Sequence, residues 1–216
     1  VGVLSLKHGE YLVRLARRAV ENYFVTGGEL PIPDDAPLEL MEKRGVFTTI
    51  YRISSGEASV GVAKELRGCI GFPLPIKPLL KATIESALSA AFEDPRFPPL
   101  KEKELDDVIF EVSVLTQPKL IQGTPEEIVK SIKIGRDGLI IQKGFMSGLL
   151  LPQVPVEYDW DVETFLGQTC MKAGLPPDAW VMKNTKIYTF QAEIFTEIQP
   201  KGKVIRLMIE KWKNEK

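Results

Sequence analysis

Gly45-Val-Phe-Thr-Thr-Ile-Tyr-Arg-Ile53, a Ser54-Ser55-Gly56 turn and a return through Val60 to Leu66-Arg-Gly-Cys-Ile-Gly71 form the stretch that decides the fold. The first run is rich in β-branched and aromatic residues, which suit a pleated, half-buried surface and predict a strand. The turn brings the chain back, so the two runs read as neighbouring antiparallel strands. Upstream, Tyr11, Leu12, Leu15, Ala16, Ala19 and Val20 recur at helical spacing, with Arg14, Arg17, Arg18 and Glu21 opposite, and Gly27-Gly28 closes that helix. Downstream, Pro78 opens a second helix whose stripe holds Leu79, Ala82, Ala87, Ala90 and Ala91, and Asp94-Pro95 stops it. Small residues there let the helix lie close to whatever it covers.

Further along, Val108, Phe110, Val112 and Val114 alternate with Glu111 and Ser113, a second clear strand. Thr124 and Glu127 have capping-box spacing, and Leu139–Ile141 and Leu149–Leu151 flank a Lys143-Gly144 turn. Asp161 starts a helix with Phe165, Leu166, Thr169 and Cys170 on one face, ended by Gly174. Tyr188, Phe190, Ala192 and Ile194 read as one long final strand. No regular βαβ rhythm appears. The expectation is an α+β fold, a mainly antiparallel sheet flanked by helices, with residues 1–216 as a single domain. Lys201 to Lys216 carries six basic residues against two acidic ones, with Ile205, Met208, Ile209 and Trp212 at helical spacing. Residues 201–216 are therefore expected as a basic amphipathic helix, docked on the protein's own body or forming a homo-oligomer contact.

Composition narrows the function. Lys plus Arg number 28 against 29 Asp plus Glu, for a net charge of −1, so no global field holds a phosphate backbone and nucleic acid is not the expected partner. Two cysteines and a single histidine leave no ligand set for a zinc or iron–sulfur site, and no metal or cofactor is expected. No apolar run reaches the ~20 residues that span a bilayer, so no membrane role is expected and the chain is read as cytoplasmic.

Within Leu66–Gly71, strict alternation would put Arg67 and Cys69 on one face of a strand. A neighbouring guanidinium favours thiolate over thiol, which would lower the Cys69 pKa and make it a nucleophile. Gly68 and Gly71 would leave amide N–H groups open to a ligand. The competing reading makes Cys69 a small buried hydrophobe in a glycine-rich strand. Cys170, on an apolar helix face, is read as core.

The same hexapeptide resembles the signature of the AMMECR domain family. So do Gly45–Ile50, Asp94-Pro-Arg-Phe-Pro-Pro-Leu100, Glu111–Thr116, Gly135–Leu139, Leu150-Leu-Pro-Gln-Val154 with Glu157 and Trp160, and Cys170–Leu175. The family-like region runs in order from about residue 7 to 197. The resemblance implies a compact α+β body with a larger and a smaller lobe. It also implies a modification pathway shared with Memo-like or radical-SAM-type partners, any cluster chemistry belonging to the partner. With it, Arg67 and Arg96 become candidates to clamp a carboxylate or phosphate, the alternative being ion pairs with Asp94 or Glu104. Gln153 joins Gly68, Gly71 and Arg96 as a substrate-binding candidate. Glu157 joins Cys69 and Arg67 as a catalytic one, in the role of general base, against the plainer reading of a surface carboxylate.

Three readings follow. The first is an enzyme, or the substrate-binding subunit of one, with a cleft around Leu66–Gly71 where Arg67, Cys69, Arg96 and Gln153 converge on a small molecule. The second is a non-catalytic adaptor for a partner protein or small anion. The third, an RNA-binding or RNA-modification accessory, needs a local basic patch.

Overall fold

The structure is a computed structural model that describes residues 3–54 and 63–207. Its element order is α1 (Leu6–Thr26), β1 (Val46–Ser54), β2 (Ala63–Phe72), α2 (Leu79–Phe92), β3 (Val108–Leu115), β4 (Lys119–Ile121), α3 (Pro125–Ser131), β5 (Gly138–Lys143), β6 (Met146–Leu150), α4 (Val154–Glu157), α5 (Val162–Lys172), β7 (Lys186–Phe190), β8 (Ala192–Glu197) and β9 (Val204–Leu207). The fold is α+β with antiparallel sheets. One sheet has the order β2-β1-β3-β8-β9 and the other β4-β7-β5-β6. The chain divides into two compact units. The first holds the described residues up to Leu115 together with Glu193–Leu207, and the second holds Thr116–Ala192.

In the first unit α1 and α2 bury their apolar arcs against the five-stranded sheet, with Leu12, Leu15, Leu80, Ile84, Ile50 and Phe110 fully enclosed. Local chemistry sets the ends of α1: Ser5 accepts a hydrogen bond from the His8 N–H, and Gly27 at φ 68° turns the chain out in the left-handed region. In the second unit Phe165, Leu166 and Cys170 of α5 pack with Leu139, Ile141 and Ile187. Thr124 and Glu127 form the reciprocal cap of α3, and the Asp161 side chain caps α5.

Four expectations change. The final long strand is two strands, because Gln191 bonds to the backbone and hydroxyl of Thr116 (its C=O accepts from Thr116 N–H, and its N–H donates to Thr116 Oγ1) instead of continuing a ladder. The chain therefore leaves the four-stranded sheet after Phe190 and joins the five-stranded one at Ala192. Secondly, Val204–Leu207 is a strand paired with β8, not the start of a helix. The remainder of that expected C-terminal helix lies outside the described residues. Thirdly, the Pro-bounded segment of Gln153 and Glu157, for which the sequence suggests a loop, is a single helical turn, α4, with the two residues at its start and end.

Fourthly, Arg17 is not on a solvated face. Its guanidinium stacks 4.7 Å from the Phe110 ring centroid, and its Nη groups donate to the Leu105 and Val108 carbonyls. Its Nε donates to the fully enclosed carboxylate of Glu197 at 2.9 Å. Glu197 also accepts from Arg14 and from the Phe110 N–H, so every oxygen of this buried carboxylate is engaged.

Candidate functional site

The site begins with a defect in the β1–β2 ladder. Ile50 faces Gly68 but Tyr51 faces Leu66, so Arg67 is an extra residue, a bulge. A bulge breaks the alternation that would have put Arg67 beside Cys69. Gly68 faces α2 so closely that a Cβ there would lie 2.0 Å from the Ala90 carbonyl oxygen. Gly71 is similarly closed, with the Val46 carbonyl oxygen 2.3 Å from the same imagined atom. These glycines permit backbone contact with α2 and β1; the space a side chain would take is filled by protein.

Cys69 faces the other way. Its thiol accepts a hydrogen bond from Thr49 Oγ1 at 3.3 Å, and Thr49 pairs in register with Glu111, which places the three in a row across β2, β1 and β3. The expected thiolate is not supported. Burial pushes the Cys69 thiol above its ordinary value; the Thr49 hydrogen bond and the Arg96 charge oppose it in part, and Glu111 and Asp94 add a little to the rise.

Arg67 turns to Glu104. Its Nε and Nη2 donate to the two carboxylate oxygens at 3.0 and 3.1 Å, and Nη2 also donates to the Pro99 carbonyl. Arg52 donates to the same carboxylate from β1. Glu104 reaches this position because it closes a short 3-10 turn over Glu102–Glu104 and accepts the Lys101 N–H. Arg96 pairs with Asp94 through Nε and Nη2 at 2.9 and 2.7 Å. Together they finish the outer edge of β2: Asp94 accepts the Cys69 N–H at 2.8 Å and Arg96 donates to the Cys69 carbonyl. An exposed strand edge is thus satisfied by two side chains instead of another strand.

Beside this edge lies a cleft of about 370 Å³, lined by Arg52, Glu65, Leu66, Arg67, Phe97, Pro98, Lys101, Lys103 and Glu104. Its floor is the bulged strand and its outer wall the loop after α2, where a turn from Asp94 to Phe97 and two further prolines hold the chain extended until Leu100 bonds back to the Ala91 carbonyl. Four cationic side chains line the cleft against two carboxylates, in a chain of net charge −1. Cys69 and Arg96 come together at the edge and Arg67 joins the cleft. Gln153 and Glu157 belong to the second unit, where Gln153 Oε1 is buried without a hydrogen bond among the described residues. Sequence reasoning missed Arg52, Glu65, Lys101 and Lys103: Arg52 reads only as part of a strand, and the other three carry no role. Phe97 lay inside a quoted family motif but carried no role. Among the described residues no three His, Cys, Asp or Glu side chains group as metal ligands.

The AMMECR1 family pattern matches residues 13–195, most of the chain. The chain belongs to the AMMECR1 family. It is 60% identical over 198 residues to protein PYRAB00100 of Pyrococcus abyssi, a match covering 92% of this chain and 94% of the relative. It is 51% identical over 204 residues to protein MJ0810 of Methanocaldococcus jannaschii, covering 94% and 96%. The crystal structure of the uncharacterized protein PH0010 from Pyrococcus horikoshii is similar at a TM-score of 0.84 and 56% identity, covering 94% of this chain and 97% of that one.

Two expected results follow for this AMMECR1-family chain. Asp94 and Glu104, held by Arg96 and Arg67, are each lowered to about 2 from ordinary values of 3.8 and 4.5. In the unfolded chain both carboxylates take up protons near pH 4, while in the folded protein they resist until about pH 2. Their stabilisation is therefore complete above about pH 4.5 and is lost as the pH falls from there to 2. Asp94→Asn and Glu104→Gln should each cost about 1–2 kcal/mol at pH 7. Both should also flatten the acid limb of a stability–pH curve measured by denaturant titration; an unchanged acid limb would contradict the pairing.

The thiols give the second result. Cys170 is fully enclosed and burial raises its pKa as well. At pH 7 native Cys69 should react with a charged alkylating reagent more slowly than free cysteine, and Cys170 only on unfolding. Cys170→Ala should cost about 1–2 kcal/mol. Mass spectrometry of labelled peptides decides this, and rapid labelling of Cys69 would restore the nucleophile reading.

Proposed function

We propose that this protein is a substrate-binding module whose operative site is the cleft beside Leu66 and Arg67, and that its ligand is a small anion. The observation that carries the reading is the convergence of Arg52, Arg67, Lys101 and Lys103 on one cleft where Glu104 already fixes two of the guanidiniums. Holding an arginine by a carboxylate removes much of the entropy cost of ordering it around a ligand, and its planar fork still presents donors. Arg67 itself lines the cleft.

Cys69, with its raised pKa and its place outside the cleft lining, is assigned to the edge structure rather than to covalent chemistry. A module that binds an anion and passes it to a catalytic partner also fits the modification pathway that the family resemblance implies. Calorimetric titration with pyrophosphate at low salt tests the reading. The wild type should bind saturably and more weakly as salt rises. Lys101→Glu with Lys103→Glu should lower the affinity at least tenfold, and Cys69→Ser should leave it unchanged. Absence of saturable binding, or equal binding by the double variant, would overturn it.

A further inference from the structure

We infer that the anion this cleft takes is a 5′-mononucleotide, its phosphate on the lysine and arginine side chains and its base against Phe97; the inference rests on the anion-binding reading above. Phe97 is the one aromatic side chain among the cleft's lining residues, and it is only half-buried. A phenyl ring that served only as packing would be expected to be covered by core. Here its chain neighbours are exposed, from Pro95 and Arg96 on one side to Pro98 and Pro99 on the other. The Arg96 guanidinium stands 5.4 Å from the ring centroid, and Asp94 fixes that guanidinium from the buried side. A ring braced in this way makes a stacking platform, and bases stack on aromatic side chains whatever their sequence because each has a π-face. The Phe97-Pro98 step is apolar, while Lys101, Lys103, Arg52 and Arg67 supply charge around the same space. The cleft thus combines an apolar plane with a cationic lining, the two recognition elements that an aromatic phosphate ester carries.

Size limits the choice further. About 370 Å³ lies at the small end of the roughly 300–1,000 Å³ of small-molecule sites, room for one nucleotide rather than a dinucleotide. Inorganic phosphate would use the cations and leave Phe97 bare. An uncharged base would use Phe97 and leave the excess of cations over carboxylates in the lining unused. Only a ligand with both parts uses the whole wall.

The test compares ribose 5-phosphate, AMP and adenosine by calorimetry on the full chain. AMP should bind at least tenfold more tightly than ribose 5-phosphate and than adenosine. Phe97→Leu should reduce AMP to the affinity of ribose 5-phosphate while leaving ribose 5-phosphate itself unchanged. Saturation-transfer NMR on the wild type gives a readout that needs no variant: the adenine H2 and H8 protons should receive the strongest saturation. AMP binding no tighter than ribose 5-phosphate, or saturation confined to the ribose, would overturn the nucleotide and leave the anion site standing. Binding of neither phosphate would overturn both.

Discussion

Gly68→Ala should destabilise the protein by about 3 kcal/mol or more, at the upper end of what overpacking a well-filled core costs. The reason is geometric. The added methyl would have to lie 2.0 Å from the Ala90 carbonyl oxygen, which is helix backbone and cannot swing aside. Relief requires α2 to lift from β2, exposing Ala87, Ala90 and Ala91, or the β1–β2 ladder to shift beside the Arg67 bulge. Either movement also disturbs the bond from the Cys69 N–H to Asp94 and the ion pairs along the cleft. Urea denaturation of the variant measures the loss. A change below about 1 kcal/mol would show that the helix does not sit against the strand as described. The glycines of the hexapeptide are thus explained by backbone approach.

The second large effect belongs to Glu197. Its carboxylate is fully enclosed and is the counter-charge of Arg17, whose side chain is 4% exposed. Breaking a buried pair strands a charge, and Glu197→Leu should cost about 3–5 kcal/mol. Arg17→Met should fall in the same range, since it leaves the Glu197 carboxylate buried without its main donor. The double variant Arg17→Met with Glu197→Leu should be markedly less damaged than the sum of the singles, because apolar replacement removes both desolvated charges together. A double-mutant cycle from denaturation midpoints reads the coupling. Additive losses would mean the two groups act separately.

These two sites show what the sequence could and could not disclose. Elements with a strong local signature were legible: Val46–Ser54 by its β-branched run, α1 by its apolar arc and its Gly27 end, α3 by its Thr124–Glu127 box, and α5 by the Asp161 cap. Small residues along α2 announced a close approach, which proves to be Ala90 over Gly68. Features that depend on pairing were not legible. The bulge at Arg67 exists only relative to β1, so alternation read from one strand put Arg67 and Cys69 on a shared face. The break at Gln191 left the period-two pattern intact from Tyr188 to Ile194, because alternation does not say which sheet a strand joins. Arg17 looked solvated because it is an arginine beside Arg18, yet Val13 and Val20 lie four before it and three after on the same arc of α1. Those two valines were the available signal. The cleft was half legible. Arg67 was named from sequence, with Asp94 or Glu104 as the alternative ion-pair partner, whereas Arg52, Lys101 and Lys103 gain meaning only when β1, β2 and the loop after α2 are brought together.

The proposed ligand site is the cleft between the bulged strand and the loop after α2, not the thiol of Cys69. Amide chemical-shift mapping of the ¹⁵N-labelled chain during a pyrophosphate titration tests it most directly. Saturable shifts should concentrate on Glu65–Arg67, Phe97 and Lys101–Glu104, with Thr49 and Glu111 little changed. Saturable shifts centred on Thr49, Glu111 and Cys69, or no saturable shift in the cleft, would contradict it.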